Sequence, residues 1–161
     1  MSGRKKPICV YFLQDGRKSY IGYTTDLQQR FRRHKSEIKG GAKYTKTWND
    51  HKLIAFIAGF PDKTSALSYE FHAQQDKCVA RVQFKDYKVK PHPTFCKFLE
   101  PLFSAQFMHV RDDLVVVLCD HHEYGKEIME KYPIRGVILG RDDVHFGKFL
   151  SNDINNDNLL K

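Results

Sequence analysis

The run CVYFLQDGRKSYIGYTTDLQQRFRRH, residues 9–34, decides the fold. Two aromatic-rich apolar segments flank Asp15-Gly16, a strong signal for a tight hairpin, so residues 8–13 and 19–23 read as paired antiparallel strands. With Asp15 and Gly16 central in the turn, Gln14 pairs with Arg17, Leu13 with Lys18, Phe12 with Ser19 and Tyr11 with Tyr20. That register sets two phenols side by side on one face. A loop widened symmetrically to four residues keeps the pairing, and an odd-length loop breaks it.

A helix follows. Asp26 is placed to cap its free N–H groups, and Gly40-Gly41 to end it. At the helical period Leu27, Phe31 and Ile38 form a narrow apolar stripe, bordered by Arg30 and His34 one turn apart. A guanidinium beside an imidazole at the rim of a core is costly unless an anion meets it. The same pair also fits an Arg30 that snorkels to water beside a satisfied core His34.

Downstream, KLIAFIAGF (residues 52–60) is apolar throughout, which predicts a central strand ended by Pro61. DKTSALSYEFHAQQ (residues 62–75) reads as a helix whose buried face holds Leu67, Phe71 and Gln74, with Glu70 inside that face. A carboxylate so placed either pairs with a base such as Arg30 or a lysine, or binds a metal. DDLVVVLCD, HHEYGKEIMEKYP and IRGVILG then read as strand, helix and strand. They predict a small α/β extension within residues 107–150, expected to complete the core, with dimerisation or partner binding as alternatives. The closing SNDINNDNLLK is polar and expected to be loose.

The chain has 161 residues and a formal net charge of +8, unevenly spread. Residues 1–50 carry 12 Lys/Arg against 4 Asp/Glu, whereas residues 106–161 carry 7 against 10, so the basic end is the expected partner-binding end. Basic side chains interleaved with aromatics suit a surface that meets phosphates, although charge alone equally fits a solvated face. The 4 cysteines, Cys9, Cys78, Cys96 and Cys119, form no CxxC pair and follow no secretory segment, which is the pattern of reduced thiols in an intracellular protein. No apolar run approaches the ~20 residues of a membrane-spanning helix, so a soluble protein is expected.

Taken in order, a strand with Tyr11, a partner with YIG at Tyr20–Ile21–Gly22, TTDLQQRFRRH with Arg30 and His34, a strand, and a helix carrying Glu70 resemble the GIY-YIG nucleases over roughly residues 8–76. GGAKYTK (residues 40–46), AGFPDKTSAL (58–67) and YEFHAQQ (69–75) are most similar to Slx-type structure-specific endonucleases. The first motif reads Cys9-Val10-Tyr11 in place of Gly-Ile-Tyr, retaining the tyrosine. Slx-type enzymes also carry a C-terminal zinc-binding finger that docks a scaffold subunit. Cys119, His121 and His122, with Cys96, do not make such an array, so neither the finger nor the scaffold partnership is carried over.

The resemblance implies an α+β fold with a small three-stranded antiparallel sheet flanked by helices at residues 1–105, to which the strand–helix–strand reading adds the α/β extension and its loose tail at 106–161. It implies a divalent-metal-dependent DNA endonuclease acting on branched or flapped DNA in repair or recombination, located in nucleus or cytoplasm wherever that DNA is. Tyr11, Tyr20, Arg30, His34 and Glu70 would be catalytic. Glu70 as a single carboxylate suits a hard Mg²⁺ or Mn²⁺ that keeps several waters. Tyr20 or Tyr11 would take the proton of the attacking water, a role open to a phenol of ordinary pKa ~10 only where cations favour phenolate. Arg30 would hold the scissile phosphate through paired N–H groups, His34 would orient Tyr20 or the water, and Gly22 would let backbone approach. Arg17, Lys18, Arg33, Lys43 and Lys46 are candidates for phosphate contacts that position the duplex without reading bases. Tyr44 and Trp48 are candidates for stacking on an unpaired base, with packing the simpler role for Trp48. The alternatives are a non-catalytic nucleic-acid-binding module and a site-specific homing-type nuclease.

Overall fold

A computed structural model describes residues 8–27, 29–30, 48, 52–75, 92–119, 127–128, 130–132 and 135–139. The first hairpin forms where Asp-Gly placed it: β1 (Cys9–Asp15) and β2 (Lys18–Thr24) pair antiparallel. Their register differs from the expected one. Asp15 opposes Lys18, Leu13 opposes Tyr20 and Tyr11 opposes Gly22, so the two turn residues are Gly16 and Arg17. Gly16 adopts φ 57°, the left-handed region that the tight hairpin turns require. Asp15 is thereby drawn into the strand. Because the slip is an even number of residues, Tyr11 and Tyr20 still share a face, as diagonal rather than direct neighbours.

β3 (Lys52–Ala58) pairs antiparallel with β1 across an irregularity between Phe12 and Leu13, where Ala55 and Leu53 are successive partners. Further along the chain come helix α1 (Lys63–Ala73), the short helices α2 (Phe95–Leu99) and α3 (Met108–Arg111), and strands β4 (Val115–Cys119) and β5 (Gly136–Leu139). The sheet order is β2-β1-β3-β4-β5. The apolar run of β3 is therefore central, as its composition implies, and β4 extends the same sheet antiparallel to it, with β5 parallel to β4. At the entry to β4, Gly59 (φ 100°) passes under the Asp113 carbonyl, and a side chain there would also meet the Leu114 Cα at 3.3 Å. This is a backbone crossing only glycine fits.

Both faces of the sheet are covered. On one, Val10, Phe12, Ile57, Val116 and Leu118 pack against α1, α2 and the segment through Leu114. On the other, Cys9, Tyr11, Leu13, Phe56 and Val117 pack with Leu27 and Trp48. Trp48 is buried there, so it packs in the core and does not offer a ring to a base.

The buried face of α1 also corrects the expectation. Asp62 caps the helix through Ser65 N at 2.7 Å, and Ala66, Tyr69 and Ala73 face the sheet. Leu67 and Phe71 are 41% and 62% exposed. Two alanines let the helix backbone approach the sheet closely, and Tyr69 spans what remains, donating its hydroxyl to the Phe98 carbonyl at 2.6 Å. Leu67 and Phe71 would not fit so near.

Candidate active site

Gly22 is the hub. It sits on edge strand β2 directly opposite Tyr11, and a Cβ there would collide with the Tyr11 hydroxyl and approach the Tyr20 ring at 2.7 Å. The absent side chain is what lets the Tyr11 ring lie across the strand, with the two ring centroids 6.2 Å apart and tilted by 37°. Tyr11 is 1% exposed, and Tyr20 is half-buried at the rim.

Arg30 reaches this pair from the helical turn after β2. Asp26 caps the turn as expected, its Oδ1 accepting from Gln29 N at 3.2 Å and its carbonyl from Arg30 N at 2.9 Å. Leu27 drops into the core beneath, which fixes the rotation of the turn. One helical step on, Arg30 Nε donates to the Tyr11 hydroxyl at 3.1 Å. Burial pushes the Tyr11 phenol well above its ordinary pKa, and the Arg30 hydrogen bond opposes this without overcoming it. Arg30 feels burial in the opposite sense, yet its bonds and charge interactions with Tyr11 and Tyr20 leave its pKa raised, so it is firmly cationic.

Glu70 comes from α1, at the border of its buried face rather than inside it. It is half-buried, and that burial raises its pKa, while the Gln74 hydrogen bond and the Arg30 charge pull the other way. Its charge is felt at Tyr11 and at Tyr23, which burial and Glu70 together push up. Tyr11, Tyr20, Arg30 and Glu70 thus converge around the bare backbone of Gly22. Gln74 links this carboxylate to the strand: its Nε2 donates to the Ile21 carbonyl at 2.6 Å and to Glu70 Oε1 at 3.2 Å.

Arg17 and Lys18 are exposed at the hairpin tip, and His92 ties that tip down, its Nε2 lying 2.7 Å from the Arg17 carbonyl. Ser19 and Thr94 hydroxyls lie 2.7 Å apart beside it. His34, Arg33, Lys43 and Lys46 lie outside the described residues, as do Tyr44, Cys78, His121 and His122.

Among the described residues no group of three or more His, Cys, Asp or Glu gathers. A caged or thiolate-rich ion therefore has no donor set among them, but a hard divalent ion does: Glu70 supplies one carboxylate at the water's edge, and such ions retain most of their own waters. No described helix is long and apolar enough to cross a membrane.

The sequence pointed to Tyr11, Tyr20, Arg30 and Glu70, and the fold brings these together. It did not point to Gln74 as a partner of Glu70, although the spacing of four residues on one helix was the available signal.

Residues 7–78 match the GIY-YIG catalytic domain. The chain is similar to "Structure-specific endonuclease subunit SLX1 homolog" of Cryptosporidium parvum, 36% identical over 85 residues that span 50% of this chain and 21% of that protein. It is similar to "Structure-specific endonuclease subunit slx1" of Schizosaccharomyces japonicus at 43% identity over 67 residues, 39% of this chain and 24% of the relative. The protein of the same name from Schizosaccharomyces pombe is 33% identical over 99 residues, 58% of this chain and 36% of its own length. The chain thus spans about a fifth to a third of the length of these curated relatives.

Proposed function

From a GIY-YIG domain at residues 7–78, we propose that this chain is a divalent-metal-dependent DNA endonuclease that hydrolyses phosphodiester bonds near junctions or flaps of branched DNA. One observation carries the reading: a cation, two phenols and a carboxylate from four separate elements meet where β2 lacks a side chain. A core needs no such arrangement. Phosphodiester hydrolysis does, because it requires an activated water, a counter-charge for the phosphoryl oxygens and stabilisation of the leaving 3′ oxygen.

The two tyrosines divide the work. Tyr11, buried and pushed away from phenolate, orients Arg30 by accepting from its Nε. Tyr20, at the rim beside the same cation, is the phenol that water can reach; acting as the phenolate, it takes the proton and returns to phenol as the water oxygen attacks phosphorus. Arg30 meets the non-bridging oxygens as charge builds on them. The P–O3′ bond breaks, giving a 5′-phosphate and a 3′-hydroxyl protonated from solvent. Glu70 would hold Mg²⁺ or Mn²⁺, which when bound supplies further charge stabilisation at the phosphate. His34 is assigned to orienting Tyr20 or the water. Arg17, Lys18, Arg33, Lys43 and Lys46 would steer the duplex by its phosphates.

The relatives' names describe structure-specific endonucleases, and the preference for branched DNA rests on that likeness together with the 12 Lys/Arg against 4 Asp/Glu in residues 1–50. Incubating the purified protein with branched, flapped and plain duplex DNA, with Mg²⁺ or with chelator, tests it. Metal-dependent cuts near junctions with little sequence preference are expected. Binding without cleavage, or uniform nicking of linear duplex at one sequence, would overturn it.

A further inference from the structure

We infer that Gln74 is a positioning residue for metal binding, clamping the Glu70 carboxylate to the edge strand so that one of its oxygens is held and the other is presented to the ion. The inference deepens the proposed function and rests on its reading of Glu70 as a metal ligand.

The orientation of the amide is fixed by chemistry. The Ile21 carbonyl can only accept, so the group 2.6 Å from it is the NH₂, and the same nitrogen has a second hydrogen for Glu70 Oε1 at 3.2 Å. One hydrogen thus goes to strand and one to carboxylate. Among the described residues no hydrogen bond reaches Glu70 Oε2. Oε1 is the tethered oxygen, and Oε2 is the one left for a cation.

The anchor point adds force to this. Ile21 immediately precedes Gly22, the residue over which Tyr11 and Tyr20 lie, so the clamp sets the carboxylate against the strand position that organises the rest of the site. A glutamate on a helix rim otherwise turns about three side-chain bonds and would sample positions far from Arg30. Groups that hydrogen-bond a ligating carboxylate commonly govern metal affinity by about 10–100-fold.

The test is Mn²⁺ binding to the full chain, followed by electron paramagnetic resonance of the free ion, in Gln74→Met and Gln74→Lys. Methionine keeps length but donates nothing. Lysine can still donate to the Ile21 carbonyl, preserving the tie, while setting a competing cation against Glu70. Mn²⁺ affinity should fall about 10–100-fold in Q74M and at least as far in Q74K. The Mg²⁺ needed for half-maximal cleavage should rise in proportion in Q74M. At saturating metal its kcat should largely recover, and DNA affinity in chelator should stay within about twofold of wild type, a split that a merely structural role would not produce. Unchanged Mn²⁺ affinity in either folded variant overturns the inference. So does failure of both to fold, which would make Gln74 a tie of the fold. A wild-type protein that neither binds Mn²⁺ nor cuts any DNA instead removes the metal reading of Glu70 itself.

Discussion

Glu70→Gln separates chemistry from folding at one atom pair. The substitution keeps the shape and keeps an oxygen to accept from Gln74, so the 3.2 Å contact survives. What it removes is charge. In the folded protein burial outweighs both Gln74 and Arg30 and raises the Glu70 pKa, so folding favours the protonated form. A carboxyl with a raised pKa costs nothing below its ordinary pKa and weakens the fold as pH rises through the raised value. Without metal at neutral pH, E70Q should therefore be at least as stable as wild type, with the difference within about 1 kcal/mol because the group is half exposed. That corresponds to a melting shift of no more than about 2–4 °C, vanishing below pH ~4. A buried ion-pair member would instead cost about 3–5 kcal/mol. Cleavage in Mg²⁺ should fall by about 10³ or more, equivalent to roughly 4 kcal/mol of lost transition-state stabilisation. DNA binding in chelator should hold or tighten. The assay set is a melting curve at two pH values, a binding isotherm and single-turnover cleavage on one branched substrate. Full cleavage by a normally folded E70Q protein would refute the mechanism, and a large loss of stability at pH 7 would refute the electrostatic reasoning.

The two tyrosines should respond differently. Tyr20→Phe should lower kcat by about 10²–10⁴ with DNA affinity unchanged, as loss of a general base does, whereas Tyr11→Phe should also lower stability, because it strips Arg30 of a buried acceptor. Gly22→Ala displaces both rings, and a denaturant melt should find it about 1–3 kcal/mol less stable, with cleavage down about 10² from the shifted geometry. If about five basic side chains neutralise phosphates, log affinity against log salt should have a slope of about −4 to −5; a flat response would leave the basic end merely solvated. Tyr69→Phe should cost about 1–3 kcal/mol by orphaning the Phe98 carbonyl, while Phe71→Ser should stay within about 0.5 kcal/mol, and equal losses would contradict the observed face of α1.

The hairpin, the central strand and the Asp26 cap were legible because each depends on a few neighbouring residues. Asp15-Gly16 announced a turn but not which of the two would sit in it; the left-handed backbone of Gly16 decided that, and only the even parity of the slip kept both tyrosines on one face. The helix face was misread because Leu67 and Phe71 outweigh Ala66 and Ala73 on any hydrophobic scale. What governed the packing was closeness to the sheet and a tyrosine whose partner, Phe98, lies 29 residues away in sequence. Tyr11, Tyr20, Arg30 and Glu70 were found through the order of their motifs. Gln74, expected on the buried face, is exposed and bonds Ile21 and Glu70 instead, and the tie to Ile21 is one that no sequence pattern reveals until the neighbouring strand is in place.

The pairing of β3 with β4 bears on how the chain comes to be folded during synthesis. β1 meets β2 across a two-residue turn and β3 soon after, so the strands that frame the site can assemble from the first 60 residues or so. The outer side of β3 must then wait until Val115–Cys119 emerges. Through that interval Ala55, Phe56, Ile57 and Ala58 present an unsatisfied, flat and apolar backbone edge, the kind onto which another copy can add a strand. A ribosome-released fragment ending before Val115 would therefore be expected to self-associate despite carrying every site residue, and slowing translation ahead of that point should raise aggregation more than slowing it afterwards.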